Sequence, residues 1–513
     1  MITQFKNAAY LVSVGAILVM LSSSLNADLS SLAKNDPYPT FTALDPLIDR
    51  LLLSPFAVRF RHEHQYRSRK GNFMFSVSPF GQNAVVGKNV KSEKIYRRVP
   101  IELGDLTGRW GLVPLLFGDT PACFPDIEIY SPTLGEALGK LMQAGEIALN
   151  TNNEDPAAVD PNQRCGYLSF PLKYRKRGLR ASCSIDLCAG FGLNIEGGVA
   201  SITQYTRDLP DPFCGRGVCD PMGTGSPVLD YQWIDLTQYD AGPNELPEFS
   251  TVGGRDPCFD IIGITSTILV DFFSRPFACI AKEIGLNIDS YCGISSEELR
   301  FNLYWTHPYE YYRDSYEWAH VAIIPYFMGS VSISPGKIKN EHKAFEPYFA
   351  NNGHTAIGGS AGLYLDFADT LQVGAECSYT HFFGRHYTDL RVPNSKYQTT
   401  VFPYFTNAHI KPGGNIFFAL RVLAYHFCDA LSIYVQYNMV DHKADTICLN
   451  HPDPAYYPNQ LERVSAWTNK SFNAAAVYDI LPNFGVGFLW QAPVRQRNSY
   501  KSTTLMFTAY AFF

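Results

Sequence analysis

The chain has 513 residues, of which 46% are hydrophobic and only 18% are charged, and its net charge is -6. A chain of this length forms two or three soluble domains or one large barrel with long loops, and its acidic balance argues against a nucleic-acid partner. The 31 Tyr and 35 Phe residues favour a membrane barrel with aromatic girdles, although a Tyr-rich extracellular β protein has a similar composition.

The first residues have the pattern of a secretory leader. Lys6 supplies a positive start, residues 8–21 are apolar, and small and polar residues follow as far as Ala27. The apolar run is too short for a spanning helix, so we expect residues 1–27 to be a signal peptide. An irregular segment over 28–55 and a barrel over 56–513 are expected to follow.

The first alternating segment covers residues 56–67. We expect Arg59, Arg61 and Glu63 to face the lumen of a barrel, because they alternate with a second set of residues on the opposite face. That second set includes His62 and His64, which could bind a metal, but no third ligand is evident and no metal site is predicted. Residues 72–82 are expected to form the returning strand.

Two stretches interrupt the strand pattern, over about 84–164 and 205–296. In the first, residues 133–150 carry helical spacing, with Leu134, Leu138, Leu141 and Met142 on one face. Such an insert could plug the lumen, lie on the periplasmic side or form a small subdomain. The second is rich in Pro, Gly and Asp, and its apolar part over 260–285 has helical and strand readings of similar strength.

Alternation resumes between the two inserts. Residues 174–178 predict a turn, because they join a basic run to a glycine. After it, Leu179, Ala181, Cys183 and Ile185 are expected on the lipid face. Arg180 and Asp186 are expected in the lumen, as is Lys173 before the turn.

The pattern is clearest after residue 297. Strands are predicted over 298–309, 316–334, 360–367, 371–380, 416–425, 431–438, 472–478 and 484–494. Single charges in these strands fall opposite the aliphatic residues, as expected if a charge on the lipid face costs about 2 to 4 kcal/mol near the bilayer midplane. Asp366, Glu376, Arg421 and Arg495 are therefore predicted to face the lumen.

Connection lengths support the same interpretation. Those at 368–370, 428–430 and 481–483 are short, whereas those at 384–414 and 441–470 are long. Membrane barrels alternate short periplasmic turns with long external loops. We expect an all-β antiparallel transmembrane barrel of about 12–14 strands, with 14 slightly favoured.

The last stretch, over 502–513, alternates an apolar face with a mixed face and contains no charge after Ser502. With Phe507, Tyr510 and the terminal Phe513, it resembles the closing strand of bacterial outer-membrane β-barrel proteins, although Ala511 stands where that class often has an aromatic. The resemblance implies an outer-membrane location and a terminal Phe that the barrel-assembly machinery recognises. We expect this strand to close the barrel against residues 56–67.

The favoured function is a porin-like or transport channel for small solutes, with outer-membrane lipid, the assembly machinery and small solutes as partners. A structural or surface-interaction barrel with partner-binding loops is the alternative. An enzyme is less favoured, although His381 and His386 lie near Glu376 and Asp389 and could form an acid–base site. No cofactor is expected. Cys214 and Cys219 could close a small loop, but the twelve cysteines do not reveal their pairing.

Overall fold

The computed structural model describes residues 73–88, 101–103, 172–206, 281–311, 321–393 and 402–513, apart from positions 283, 368, 369, 403, 429 and 455. The predicted leader, the predicted strand over 56–67 and the helical stretch over 133–150 lie outside these residues, as do Cys214 and Cys219. Within the described residues, no helix is long and apolar enough to cross a membrane.

The described residues form strands and one short helix. In chain order the strands are β1 (Phe73–Lys88), β2 (Ile101–Glu102), β3 (Leu172–Asp186), β4 (Phe191–Thr206), β5 (Tyr291–Ser296), β6 (Leu299–Thr306), β7 (Tyr309–Tyr311), β8 (Val321–Ile333), β9 (Ala356–Phe367), β10 (Leu371–Phe382), β11 (Arg385–Arg391), β12 (Phe405–Lys411), β13 (Asn415–Cys428), β14 (Leu431–His442), β15 (Thr446–Leu449), β16 (Trp467–Leu481), β17 (Phe484–Arg497) and β18 (Ser499–Phe512). The helix is α1 (Pro458–Val464).

Twelve of the strands form a closed antiparallel barrel. Its order is β18-β17-β16-β14-β13-β10-β9-β8-β6-β4-β3-β1, and β18 pairs again with β1. The short strands β2, β5 and β7 pair with β1, β4 and β8. The predicted barrel is confirmed, with the lower of the expected strand numbers. Strand β5 lies in the last part of the predicted insert over 205–296, so that part belongs to the sheet.

The barrel closes between β18 and β1. Val77 lies opposite Ala509, and the backbones of Phe73 and Phe513 exchange hydrogen bonds of 3.3 and 2.8 Å. The other edge of β1 pairs with β3 and the other edge of β18 pairs with β17. The predicted closure against residues 56–67 is therefore wrong. Alternation shows that a segment is a strand, but it does not show which strand is its partner.

The two ends of the barrel differ. One end, here the turn end, carries the short connections: Tyr425 N donates to Thr370 O at 2.8 Å, Asp479 N to Ala430 O at 3.1 Å, and Phe512 N to Asn483 O at 2.9 Å. The opposite end, here the loop end, carries the long connections. The predicted short and long connections thus lie at opposite ends of the barrel, but the alternation is not strict, because residues 307–320 separate β6 from β8 at the turn end. Strands β17 and β18 are joined at the loop end by a tight turn at Asn498, whose φ is 49°.

The outer face of the barrel is apolar. Along β9 and β18 every second side chain points outward, and Leu363 and Phe507 remain 50% and 59% exposed. Exposure of apolar area to water is unfavourable by about 25 cal/mol per Å². A closed barrel also pairs its backbone groups within the sheet, as a bilayer requires. The chain is therefore a transmembrane β-barrel of the bacterial outer-membrane type.

Strand β3 passes straight through the stretch for which a turn was predicted. Leu172–Asp186 is one continuous strand, so the predicted turn over 174–178 is wrong, and Lys173 occupies an outward position instead of a lumen position. Gly178 is needed for another reason, since a Cβ there would lie 2.7 Å from the Phe80 ring. The basic run alternates faces, with Lys176 inside.

At the loop end the long connections fold into a small unit, here called the loop assembly, made of β11, β12, β15 and α1. The three strands form a separate sheet in that order. Leu390, Val392, Ala408 and Leu461 are among the buried side chains of its own apolar core. The connections between barrel strands therefore have a defined structure here.

Buried polar groups attach the loop assembly to neighbouring connections. The His354 ring places Nδ1 2.9 Å from Phe383 O and Nε2 2.7 Å from Tyr387 Oη, and burial lowers the pKa of His354. Arg391 donates to Ile284 O and Gly285 O at 2.9 Å, and burial lowers the pKa of Arg391 to about 10.

Closure predicts a specific crosslink. Cysteines placed by Val77→Cys and Ala509→Cys lie opposite each other and should form a disulfide under mild oxidation, detected as a mobility shift on a non-reducing gel. The matched variant with Phe60→Cys and Ala509→Cys should stay uncrosslinked, because both neighbours of Ala509 are assigned. A crosslink to position 60 with none to position 77 would contradict the closure described here.

The lipid-facing belt predicts a dependence on depth. Ala509 lies in the apolar part of the outward row of β18, between Phe507 and Ala511, whereas Thr503 lies near the loop end of that row. Ala509→Arg should destabilise the barrel by about 2 to 4 kcal/mol, and Thr503→Arg by about 0 to 1 kcal/mol. Urea titration of protein refolded into lipid vesicles measures both. Equal losses would show that position 509 does not meet hydrocarbon.

Candidate functional site

The inner face of the barrel is polar and hydrogen-bonded from strand to strand. Ser78 Oγ lies 2.7 Å from Thr508 Oγ1 across the closing seam. Asn302 Nδ2 donates to Asn194 Oδ1 at 2.9 Å between β6 and β4. These groups are buried, so each unmade hydrogen bond would cost about 1 to 3 kcal/mol. The inner wall is therefore the part of the described barrel that carries polar side chains able to contact a solute.

One charged group stands out on the inner wall. Arg421 on β13 forms an ion pair with Glu376 on β10, and Tyr364 Oη on β9 donates to the same carboxylate oxygen, Glu376 Oε2, at 3.0 Å. The Arg421 guanidinium carbon also lies 4.7 Å from the centre of the Tyr364 ring. Three adjacent strands thus bring a carboxylate, a guanidinium and a phenol together at one point on the wall.

Two glycines make this group possible. Gly374 lies opposite Tyr364, and a Cβ there would collide with the Tyr364 ring. Gly362 lies opposite Glu376, and a Cβ there would come within 3.3 Å of Tyr364 Oη. Because both positions lack a side chain, there is space for the Tyr364 ring, and its hydroxyl reaches Glu376.

The ion pair retains hydrogen-bonding capacity. Arg421 and Glu376 are only 3% and 2% exposed. Within the described residues, Glu376 Oε1 and Arg421 Nε and Nη1 have no hydrogen-bond partner. Buried charges are costly unless they are fully paired. The pair therefore keeps one acceptor and two donors that the described wall does not satisfy.

A second charged group lies on the inner wall at the loop end. Glu297 accepts from Arg180 Nε at 2.7 Å, and Lys176 Nζ lies 3.0 Å from its other oxygen. The Arg180 guanidinium carbon stacks 4.0 Å from the centre of the Phe80 ring. The sequence pattern does not predict this group, because Lys176 lies in a segment with the pattern of a turn and Glu297 lies between strands.

Aromatic side chains fill much of the described interior. Tyr174, Tyr304 and Tyr326 are among the largest fully buried side chains, and the Tyr326 ring centre lies 6.1 Å from that of Tyr364. The polar residues around them are also buried. These side chains therefore have little access to water.

The structure brings some predicted lumen residues together and separates others. Arg180, Asp186, Asp366, Glu376 and Arg421 occupy inward positions. Glu376 meets Arg421, and Arg180 meets Glu297, whereas the two aspartates lie towards the turn end. The predicted Arg59, Arg61 and Glu63 lie outside the described residues, as do His62 and His64.

The prediction for Arg495 is wrong. A register irregularity between β16 and β17 places Arg495 directly opposite Lys470. Lys470 alternates with the buried Asn469 and Ser471 and so points outward, and Arg495 shares its face. The extra residue of a β-bulge reverses the faces beyond it, which a strict alternation count does not include.

The closing-strand residues have distinct positions. Phe507 points outward, with its ring centre 5.1 Å from that of Phe488. Tyr510 points inward and donates to Asp479 Oδ1 at 2.6 Å. Phe513 pairs through its backbone with Phe73. The role of Phe513 as an assembly signal stays a prediction.

The candidate acid–base group is not assembled. Glu376 points into the barrel, whereas His381 lies on the outward register of the same strand. His386 lies in the loop assembly, with its ring centre 4.7 Å from that of His409. No cluster of three or more possible metal ligands occurs within the described residues.

Comparison with known proteins finds likeness only among solved structures. No family model matches the chain, and no curated protein matches it. An outer-membrane channel from Pseudomonas putida F1 aligns with a TM-score of 0.40 at 7% identity, covering 87% of this chain and 96% of that one.

Two further solved structures are similar at lower scores. The translocator domain of the autotransporter NalP from Neisseria meningitidis aligns at a TM-score of 0.30 and 5% identity, covering 89% of this chain and 94% of that one. The Ralstonia pickettii toluene transporter aligns at 0.27 and 9%, covering 87% and 90%. At these scores the assignment of the fold rests on the strand pairing of this chain alone.

The ion pair predicts a non-additive effect on stability. Arg421→Met should lower the free energy of unfolding by about 3 to 5 kcal/mol, because it leaves the Glu376 carboxylate buried without its partner. The double variant with Glu376→Leu should recover most of that loss. Urea unfolding of the wild type, Arg421→Met, Glu376→Leu and the double variant, followed by tryptophan fluorescence, tests this. Additive losses would show that the two side chains do not interact.

Proposed function

We propose that the protein is a channel for small polar solutes across the bacterial outer membrane. The observation that carries this proposal is the Glu376–Arg421 pair, which is buried on the inner wall with unused donors and acceptors. A barrel that served only as a scaffold would gain stability from pairing those atoms or replacing them with apolar groups.

Opposite charges on one wall suit a dipolar or zwitterionic solute. A carboxylate next to a guanidinium produces a local electrostatic field in the lumen, and surroundings of low dielectric constant strengthen that field. Such a field orients a passing solute and replaces part of its hydration. Because both signs are present, we expect weak selectivity between simple anions and cations.

The buried interior implies a narrow path. Arg421 and Tyr364 lie in the wall next to other tyrosines, so a permeating molecule has to pass between closely packed side chains. We therefore expect small single-channel conductance and exclusion of large solutes. The proposed leader over 1–27 and the proposed inserts over 84–164 and 205–296 are consistent with an exported barrel.

Recording in planar lipid bilayers tests the proposal. The purified protein should give discrete conductance steps. Glu376→Gln should move the reversal potential in a salt gradient towards anion selectivity and Arg421→Gln towards cation selectivity, each by roughly threefold in the permeability ratio. Arg495→Gln is the matched control, since it removes a charge from the outer face.

The outcomes separate the possible functions. Opposite shifts for the two wall variants, with none for Arg495→Gln, support a channel lined by the ion pair. Complete absence of conductance, together with absence of solute-induced swelling of vesicles that hold correctly folded protein, would reject a channel. Heat-modifiable gel migration establishes folding in each case.

The loop assembly favours a second function, binding of a partner at the cell surface. Its strands have their own core, and Arg391 and His354 fix it to neighbouring connections. Such order is more than a simple connection between strands needs. This alternative would be retained if the folded protein did not conduct. Recognition of Phe513 by the barrel-assembly machinery is part of either proposal.

A further inference from the structure

Two histidines face each other on the three-stranded sheet of the loop assembly. His386 on β11 lies directly opposite His409 on β12, and the centres of their rings are 4.7 Å apart with the ring planes inclined at 60°. Side chains directly opposite each other on antiparallel strands share one face of the sheet. The two imidazoles, here called the histidine pair, therefore lie next to each other on one face of the loop assembly.

A cysteine extends the same row on the third strand. Cys448 on β15 lies directly opposite His409, on the other edge of β12, and its thiol is free and exposed. Directly opposed residues have Cβ atoms about 4.5 to 5.5 Å apart, so the three strands place two imidazoles and a thiol in one line. Imidazole and thiolate are ligands that zinc favours in proteins.

The row is directed away from the apolar core of the loop assembly. That core includes Tyr387, Ala408 and Ile447, each of which is adjacent in the chain to one member of the row. Because successive side chains of a strand point to opposite faces, the row occupies the face without the core. The two outer members of the row are exposed and the middle one is half-buried, so an ion in solution can reach them.

The ring nitrogens of the histidine pair are not used by the protein. Within the described residues no group forms a hydrogen bond with either imidazole. Two buried histidines of neighbouring connections differ in this respect. Both ring nitrogens of His354 lie within hydrogen-bonding distance of protein atoms, and His442 places Nδ1 2.7 Å from Asn415 Oδ1 and Nε2 2.9 Å from Asp445 Oδ1. The histidine pair keeps its nitrogens for another ligand.

The residues on both sides of His386 hold it in place. Tyr387, which follows it, is buried and donates to Asn352 O at 2.8 Å. Arg385, which precedes it, donates through Nη1 to Gly353 O at 3.0 Å, so this contact directs the guanidinium to a backbone carbonyl. Ligands on paired strands are positioned more precisely than ligands on a loop. The pair is therefore prepared for binding by the sheet that carries it.

We propose that the histidine pair binds one zinc ion, with one nitrogen of each ring as a ligand and water in the other positions. No cluster of three possible metal ligands occurs in the described part of the chain, so the protein supplies two ligands and the site is open. Zinc–nitrogen bonds are about 2.0 to 2.1 Å long, and rotation of the two side chains is enough to direct both rings at one ion. The open positions let the ion accept a ligand from a second molecule. This inference rests on the loop assembly and is independent of conduction.

Calorimetric titration of zinc into the whole protein, purified in non-ionic detergent without a polyhistidine tag, tests the proposal. His386→Asn and His409→Asn should each lose one equivalent of bound zinc relative to the wild type, because a single imidazole does not hold the ion. The matched control is His307→Asn, which removes an exposed histidine near the turn end of the barrel and should leave the titration unchanged. Heat-modifiable gel migration establishes that each variant is folded.

Chemical modification of the wild type gives a test that does not depend on variants. Diethyl pyrocarbonate reacts with accessible imidazole nitrogens, and peptide mass spectrometry locates the product. Zinc should protect His386 and His409 and leave His307 reactive. Absence of zinc binding, equal protection of all three histidines, or wild-type titrations in both pair variants would overturn the proposal. Loss of binding in Cys448→Ser alone would assign the ion to a thiolate site and would also overturn it.

Discussion

The closed ring of backbone hydrogen bonds is the constraint on which the rest of this structure depends. In hydrocarbon an unpaired N–H or C=O costs several kcal/mol, so a sheet can enter the bilayer only if it has no free edge. The pairing of β1 with β18 removes the last two edges. Once the ring is closed, side chains can point only to lipid or to the interior, and the division into apolar and polar faces follows.

Much of that division could be predicted from the sequence, because the two-residue period of a strand is a local property. The faces of Leu363 and Glu376 follow from their neighbours alone. Two of the wrong predictions, those for Arg495 and for the turn over 174–178, share a cause that is not local in the sequence. Arg495 points outward because of one extra residue in its strand. Gly178, where a turn was predicted, instead lies in close contact with Phe80 on another strand.

The candidate site could be predicted only as a collection of inward charges. The sequence correctly predicts that Glu376 and Arg421 point inward. Their contact, however, depends on the pairing of β10 with β13, which a connection of more than thirty residues separates along the chain. The ion pair between Lys176 and Glu297 likewise joins residues far apart in the chain, and the sequence pattern does not predict it. Pairing of distant strands is selected by the whole barrel, so partners in the interior remain hidden in a single sequence.

The tight turn at Asn498 has a consequence for the order in which the barrel folds. Strands β16, β17 and β18 are joined by two very short turns, so each pairs with a neighbour only a few residues away along the chain. Loop-closure entropy is small for such contacts and they form quickly. Strand β1 instead pairs with β18, and the contact between Ser78 and Thr508 joins residues 430 positions apart. We therefore expect the C-terminal meander to form early and the seam between β1 and β18 to close late.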